Sequence, residues 1–265
     1  MSERVNDIII PEGKKIYFAS DFHLGIPSRN ESLEREKKVV SWLSAIQESA
    51  SHIFILGDIF DFWFEYKYTI PKGFTRILGK LMEIRDLGIP VTFFTGNHDM
   101  WMFDYFQNEF EINVFQNPET FHIQHKKFLI GHGDGLGPGD RQYKILKRIF
   151  RSKTAHSIFK WIHPNIGIGL AKYWSKKSRL KNFSRDQNFH LDSEWLYQFC
   201  KKNETIKHHD FYIFGHRHLP LNLKINENSR YINIGDWIQS YTYAEFDGQE
   251  VWLKNYEARS QILGS

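Results

Sequence analysis

The chain is 265 residues long, with 41% hydrophobic and 25% charged residues, a composition that excludes the disordered, fibrous and multi-span membrane classes. No apolar run approaches the roughly 20 residues that a bilayer span needs, the first fifteen residues hold no signal-peptide core, and the single cysteine, Cys200, excludes an internal disulfide. These features set the expectation of a cytoplasmic location with Cys200 a buried structural thiol. The net charge of +4 conceals a division: between Asp140 and Asp186 stand thirteen Lys and Arg and no Asp or Glu, leaving 22 basic against 31 acidic residues elsewhere. An anionic ligand or surface is expected to meet that middle segment.

Taken in order, Lys14 to Ala19 reads as the first strand and ends just before Asp21 and His23. Glu31 to Ser49 carries Leu33, Val40, Leu43 and Ile46 at helical spacing, with Ser32 a candidate cap. Ile53 to Leu56 is the second strand and delivers Asp58. Pro71 to Leu87 is the second helix, with proline at its first turn and Gly88 at its end. Val91 to Thr95 delivers Asn97, and Phe121 to Ile130 reads as two short strands around His125-Lys126-Lys127 that deliver His132. From Gly137 to Trp195 the rhythm breaks. Tyr143 to Phe150, Ala155 to Ile162 and Ile168 to Ser178 are helical in pattern, with no convincing strand. Beyond Asp210 the pattern is β: Phe211 to Phe214, Asn222 to Ile225, Tyr231 to Ile234, Tyr243 to Phe246 and Val251 to Lys254, with Asp247-Gly248 a hairpin signal. The expected organisation is therefore a layered α/β core over residues 1–136 and 196–265, with a helical, basic and aromatic cap over 137–195.

Each of five strand ends carries residues with metal-ligand chemistry, and successive strand ends in an open α/β sheet converge on one edge. If they share one centre, Asp21, His23, Asp58 and His218 hold one cation, while Asp58, Asn97, His132 and His216 hold a second. Asp58 bridges, because a carboxylate has two oxygens with lone pairs to spare. Mixed nitrogen and oxygen donors without thiolate suit Mn, Fe or Zn. His98, beside Asn97, is placed to bind or protonate a phosphoryl oxygen, oriented by Asp61 or Asp99.

Asp21-Phe22-His23, Gly57-Asp58, Gly96-Asn97-His98-Asp99, Gly131-His132-Gly133-Asp134 and Gly215-His216-Arg217-His218 together resemble the signature blocks of the calcineurin-like metallophosphoesterases. That resemblance implies an αββα sandwich with a dimetal centre along one edge. The flanks, Leu56-Gly57-Asp58-Ile59-Phe60-Asp61-Phe62-Trp63 among them, are similar to the family of UDP-2,3-diacylglucosamine pyrophosphatases. The implied activity is cleavage of that nucleotide-sugar lipid to UMP and 2,3-diacylglucosamine 1-phosphate in lipid A biosynthesis. The implied cofactor is a pair of divalent ions, Mn before Zn or Fe. The enzyme would be a monomer, peripheral on the inner face of the bacterial inner membrane, with no nucleic-acid partner. Asp140, Tyr143, Ser178, Asn182 and Arg185 would contact substrate. Two positions depart from that family: His98 stands where it has arginine, so Arg217 or a cap arginine is expected to supply the charge, and Gly135 to Gly139 lacks its usual Cys-Thr-Asp run. Action on another phosphodiester, or binding without catalysis, are the competing readings.

Overall fold

The computed structural model describes residues 7–138, 141–170, 191, 194–257 and 261–262. The first sheet grows from β2 (Lys15–Ala19), in which Ile16 and Phe18 face one way and Tyr17 and Ala19 the other, all buried. A strand covered on both faces loses the polar alternation of a half-exposed one, which is why β2, β3 (Ala50–Leu56) and β4 (Val91–Phe94) read as nearly continuous apolar runs. These three run parallel, with β5 (Asn113–Phe115) parallel beyond β4. On the other side of β2, β11 (Thr242–Phe246), β12 (Val251–Asn255) and β13 (Gln261–Ile262) follow antiparallel.

The second sheet has the order β1 (Asp7–Ile8), β6 (Glu119–Ile123), β7 (Lys126–Gly131), β8 (Phe211–Phe214), β10 (Ser229–Ile234) and β9 (Pro220–Asn226). Between the sheets, Phe18, Phe54, Leu56 and Phe94 meet Phe121, Phe128, Ile213 and Ile234. Phe18 stacks across the interface on Phe128 at 6.2 Å. Helices α1 (Arg29–Ile46), α2 (Thr75–Asp86) and α3 (Tyr105–Phe110) cover the outer face of the first sheet with Trp42, Leu43, Leu81 and Phe106. On the second sheet, Leu196, Tyr197 and Cys200 cover Tyr212, Phe214 and Tyr231. The result is the expected αββα sandwich, and Cys200 is buried as a free thiol.

Between β7 and the helix at Trp195–Glu204 stand α4 (Arg141–Phe150), α5 (Lys153–Lys160) and a helical stretch at 164–170, α6; Trp195–Glu204 is therefore α7. Phe159 of α5 packs on Phe64 at 4.5 Å and on Trp101 at 4.7 Å. The Trp101 indole donates to the Phe150 carbonyl at 2.8 Å, tying α4 and α5 to loops of the core. Among the described residues no helix is long and apolar enough to cross a membrane.

The starts of the first two helices need correction. Helix α1 begins at Arg29, and its cap is Ser28, which accepts from the Glu31 N–H. Ser32 instead accepts from the Gly25 N–H at 2.7 Å. Helix α2 begins at Thr75 rather than Pro71, because Phe74 is left-handed at φ 60° and breaks the chain direction. The helix expected over Ile168 to Ser178 is described only as far as 170, and the rest lies outside the described residues.

Candidate dimetal centre

The parallel strands β2, β3, β4, β7 and β8 all end at the same edge of the sandwich, and the chain there turns sharply. Asp21, His23, Asp58, His216 and His218 have φ between 44° and 70°. Left-handed backbone costs a non-glycine residue of the order of 1–3 kcal/mol and persists where the surroundings over-determine it. Here the surroundings are the side chains of the same loops. Asp99 is fully buried and accepts from the Gly96 N–H at 2.7 Å and the Ile59 N–H at 2.8 Å, with Asp58 N–H at 3.3 Å. Asp21 Oδ2 accepts from the His216 N–H at 2.9 Å, and Asp58 Oδ1 from the His98 N–H at 2.8 Å. Gly96 is required by close approach: a Cβ there would lie 2.1 Å from Asp58 Oδ1. Arg35, buried in α1, donates to the His23 carbonyl at 2.7 Å and to that of Ile26 at 2.5 Å. Nothing in the strand-end pattern points to Arg35; the available signal is a charged Arg35-Glu36 pair on a helix face shared with Val39 and Leu43.

All seven expected ligands meet at this edge. His218 Nε2 lies 3.1 Å from Asp21 Oδ1 and 3.1 Å from His23 Nε2, and His23 Nε2 lies 3.6 Å from Asp21 Oδ1. Asp58 Oδ2 is 3.6 Å from His23 Nε2 and 3.4 Å from His132 Nε2, so one oxygen faces both histidines. His132 Nε2 is 3.2 Å from Asn97 Oδ1, and Asp58, His132 and His216 bring donor atoms within 4.8 Å of one another. Bonds of about 2.1 Å give edges of about 3.0 Å in an octahedron and 3.4 Å in a tetrahedron around a cation. Four of the spacings, 3.1 to 3.4 Å, fall in that range, and the two of 3.6 Å, both at His23, lie just beyond it. Asp21 Oδ1 is buried and no hydrogen bond of acceptable angle reaches it. The donor set therefore fits two divalent ions.

The electrostatics agree. Burial pushes the Asp58 carboxyl up, but His132, His98 and His23 outweigh it and hold the group well below the usual carboxylate range. Burial disfavours charge on His23 and His132, yet the facing carboxylates push both up to about 10. Protons on these two rings balance the carboxylates, and cation binding at the same atoms displaces them. His216, lowered to about 4 by burial and the charge on His132, stays neutral as a ligand must.

His98 is ordered by Asp61, not Asp99: its Nδ1 lies 3.1 Å from the Asp61 carbonyl and 3.4 Å from Asp61 Oδ1. A carbonyl only accepts, so Nδ1 carries a proton. Tyr143, expected at the substrate, donates its hydroxyl to Asp134 Oδ2 at 2.5 Å, where Lys147 also pairs at 2.6 Å. Asp140, Ser178, Asn182 and Arg185 lie outside the described residues. Arg217 departs from expectation. It is buried and bound to Glu194, with Nε 2.9 Å from Oε2, so its charge is met inside the protein and is not offered to substrate.

A family model for calcineurin-like phosphoesterases matches residues 14–220, and the chain belongs to that family; it is a metal-dependent hydrolase of phosphoesters. Within the family it is similar to the UDP-2,3-diacylglucosamine hydrolase of Porphyromonas gingivalis, 37% identical over 257 residues that cover 92% of this chain and 98% of that protein. The enzymes of the same name from Proteus mirabilis and Yersinia pseudotuberculosis are 26% and 24% identical, each covering 77% of this chain and 81% of the relative.

Proposed function

We propose that the chain hydrolyses the pyrophosphate of UDP-2,3-diacylglucosamine, releasing UMP and 2,3-diacylglucosamine 1-phosphate, with two divalent cations, manganese first among them. The observation that carries the chemistry is the position of Asp58, whose Oδ2 faces His23 on one side and His132 on the other. The 37% identity along almost the whole length of a hydrolase of that name supports the substrate.

Asp21, His23, Asp58 and His218 would hold one ion, and Asp58, Asn97, His132 and His216 the other. When bound, such a pair neutralises charge on the phosphoryl group and makes water a usable nucleophile at neutral pH. Asn97 contributes a neutral oxygen, which limits the negative charge facing an anionic substrate. His98, with Nδ1 engaged by Asp61, turns its other nitrogen to a phosphoryl oxygen and stabilises the charge that grows there in the transition state.

Residues 137–195 serve as the cap. Ile145, Ile149, Ile158, Trp161 and Ile166 are exposed on α4 to α6 and the turn after α5, beside Lys144, Lys147, Arg148, Lys153 and Lys160. An apolar surface fringed with cations, Lys147 apart because it is paired with Asp134, suits acyl chains below an anionic headgroup and peripheral docking on the inner face of the inner membrane. Asp140, Tyr143, Ser178, Asn182 and Arg185 are proposed substrate contacts. The enzyme acts as a monomer and takes no nucleic acid.

The test is a panel assay with metal-stripped protein, added Mn²⁺, the diacylated UDP-sugar, bis-p-nitrophenyl phosphate and single-stranded DNA. Preferred release of UMP is expected. Turnover of only the generic diester or of DNA would overturn the substrate, and no turnover with any divalent ion would overturn catalysis.

A further inference from the structure

The loop that ends β8 places His216 and His218 on opposite sides of the candidate centre, and the residue between them turns the other way. Arg217 and Glu194 have side chains only 3% and 1% exposed, and Arg217 Nε donates to both carboxylate oxygens, at 2.9 and 3.2 Å. The guanidinium lies over the Trp195 ring, 4.3 Å from its centre. That same ring meets His216 in a T-shaped arrangement, with centroids 6.4 Å apart at 71°. Glu194 and Trp195 open α7, which is itself fixed to the second sheet through Leu196 and Cys200. Gly137 is pressed against this point as well: a Cβ on it would lie 2.4 Å from the Trp195 carbonyl oxygen.

A two-ligand loop whose residues are left-handed on both sides of Arg217, at φ 70° and 52°, needs an anchor outside the metal site to keep its two imidazoles apart in the metal-free state. A buried, forked ion pair is directional in a way an apolar contact is not. It is also a poor way to gain stability alone, since well-packed apolar residues commonly do as well.

We propose that the Glu194–Arg217 pair, stacked on Trp195, is a positioning element that sets the separation of His216 and His218 and so tunes the affinity of both cation sites. Arg217 touches neither substrate nor reacting atoms; it acts through the histidines on either side of it. The inference rests on the dimetal reading above.

The experiment is calorimetric titration of metal-stripped full-length protein with Mn²⁺, alongside thermal unfolding of the same metal-free samples. Three forms are compared: the parent, Glu194→Gln, and the double variant Glu194→Met with Arg217→Met, in which both charges of the pair are removed together. The double variant is expected to unfold close to the parent while binding Mn²⁺ about 10–100-fold more weakly, the usual cost of losing a partner that orients metal ligands. Glu194→Gln, which keeps the shape and one hydrogen bond, should fall between the two. Parent-like affinity in a folded double variant or in Glu194→Gln overturns the inference and makes the pair merely structural. If the double variant fails to fold, Glu194→Gln decides alone on the same terms. A parent protein that takes up no Mn²⁺ would instead overturn the dimetal reading, so the two failures are distinguishable.

Discussion

Trp237 and Trp161 put the same side chain to opposite uses. Trp237 is fully buried at the sandwich edge, 5.6 Å from Phe22 and 5.1 Å from Trp42, and its backbone N–H donates to the Asp21 carbonyl at 3.1 Å. Trp161, just past α5, is 90% exposed. In the sandwich every apolar face has a layer to close against, and the loops that carry function are fixed by buried carboxylates. In α4 to α6 the inner face is docked on Phe64, Trp101 and Phe103, while among the described residues the outer face leaves Ile145, Ile149, Ile158 and Trp161 exposed. The first region holds a geometry; the second, on the proposed function, would meet something apolar.

The sharpest way to break this division is at Asp58. Asp58→Ala should lower kcat/KM by about 10³-fold or more and abolish binding of both ions, checked by UMP release and by metal analysis after gel filtration. Full turnover in that variant would dismantle the site. His98→Gln should lower kcat by about 10²-fold with metal content unchanged. A matching loss of metal would move His98 from the chemistry into the ligand set.

A third test addresses the rigidity of the sandwich. His52 is buried, stacked on Phe54 at 4.3 Å and bonded to Thr92 Oγ1 at 2.9 Å. Burial, with help from the charge of Arg85, lowers it to about 3. The unfolded chain takes up this proton near pH 6.5 and the folded protein only near 3, so stability is full above about 6.5 and declines as pH falls between those values. At about 1.4 kcal/mol per pH unit, roughly 2 kcal/mol is lost between pH 7 and 5. His52→Gln should remove that share of the acid limb in urea titrations. The smallest effect is expected at Trp161. Trp161→Ser should leave stability within about 0.5 kcal/mol and raise KM for the diacylated substrate about tenfold, the worth of one lost apolar anchor. KM for bis-p-nitrophenyl phosphate should not move. Equal change with both substrates would show that the outer face plays no part in recognising acyl chains.

Most of the sandwich was legible because its central strands are continuous apolar runs closed on both faces, and each is followed by a polar candidate ligand. The sheet-edge centre was legible for the same reason, since Asp21, Asp58, Asn97, His132 and His216 all follow such runs. Short elements escaped. Helix α3 has six residues, and Glu65 caps it from a distant loop by accepting from the Phe103 and Asp104 N–H groups at 2.7 and 2.8 Å, so no local cap was there to read. Helix α2 was read one turn too long, because Pro71 looks like a first-turn residue and nothing local betrays the left-handed Phe74. Asp61 and Asp99 could not be told apart from sequence. Only the fold shows that one meets the His98 ring and the other the backbone of two loops. Arg217 misled for a related reason: its partner Glu194 is 23 residues away.

The grip of Asp99 on the amides of Gly96 and Ile59 has a consequence for how the protein matures. Because those contacts are made by the polypeptide alone, the cradle is expected to form without ions, with loading following folding rather than driving it. Chelation should strip the enzyme of activity while leaving its circular dichroism intact, and re-addition of ions should restore turnover without a refolding lag.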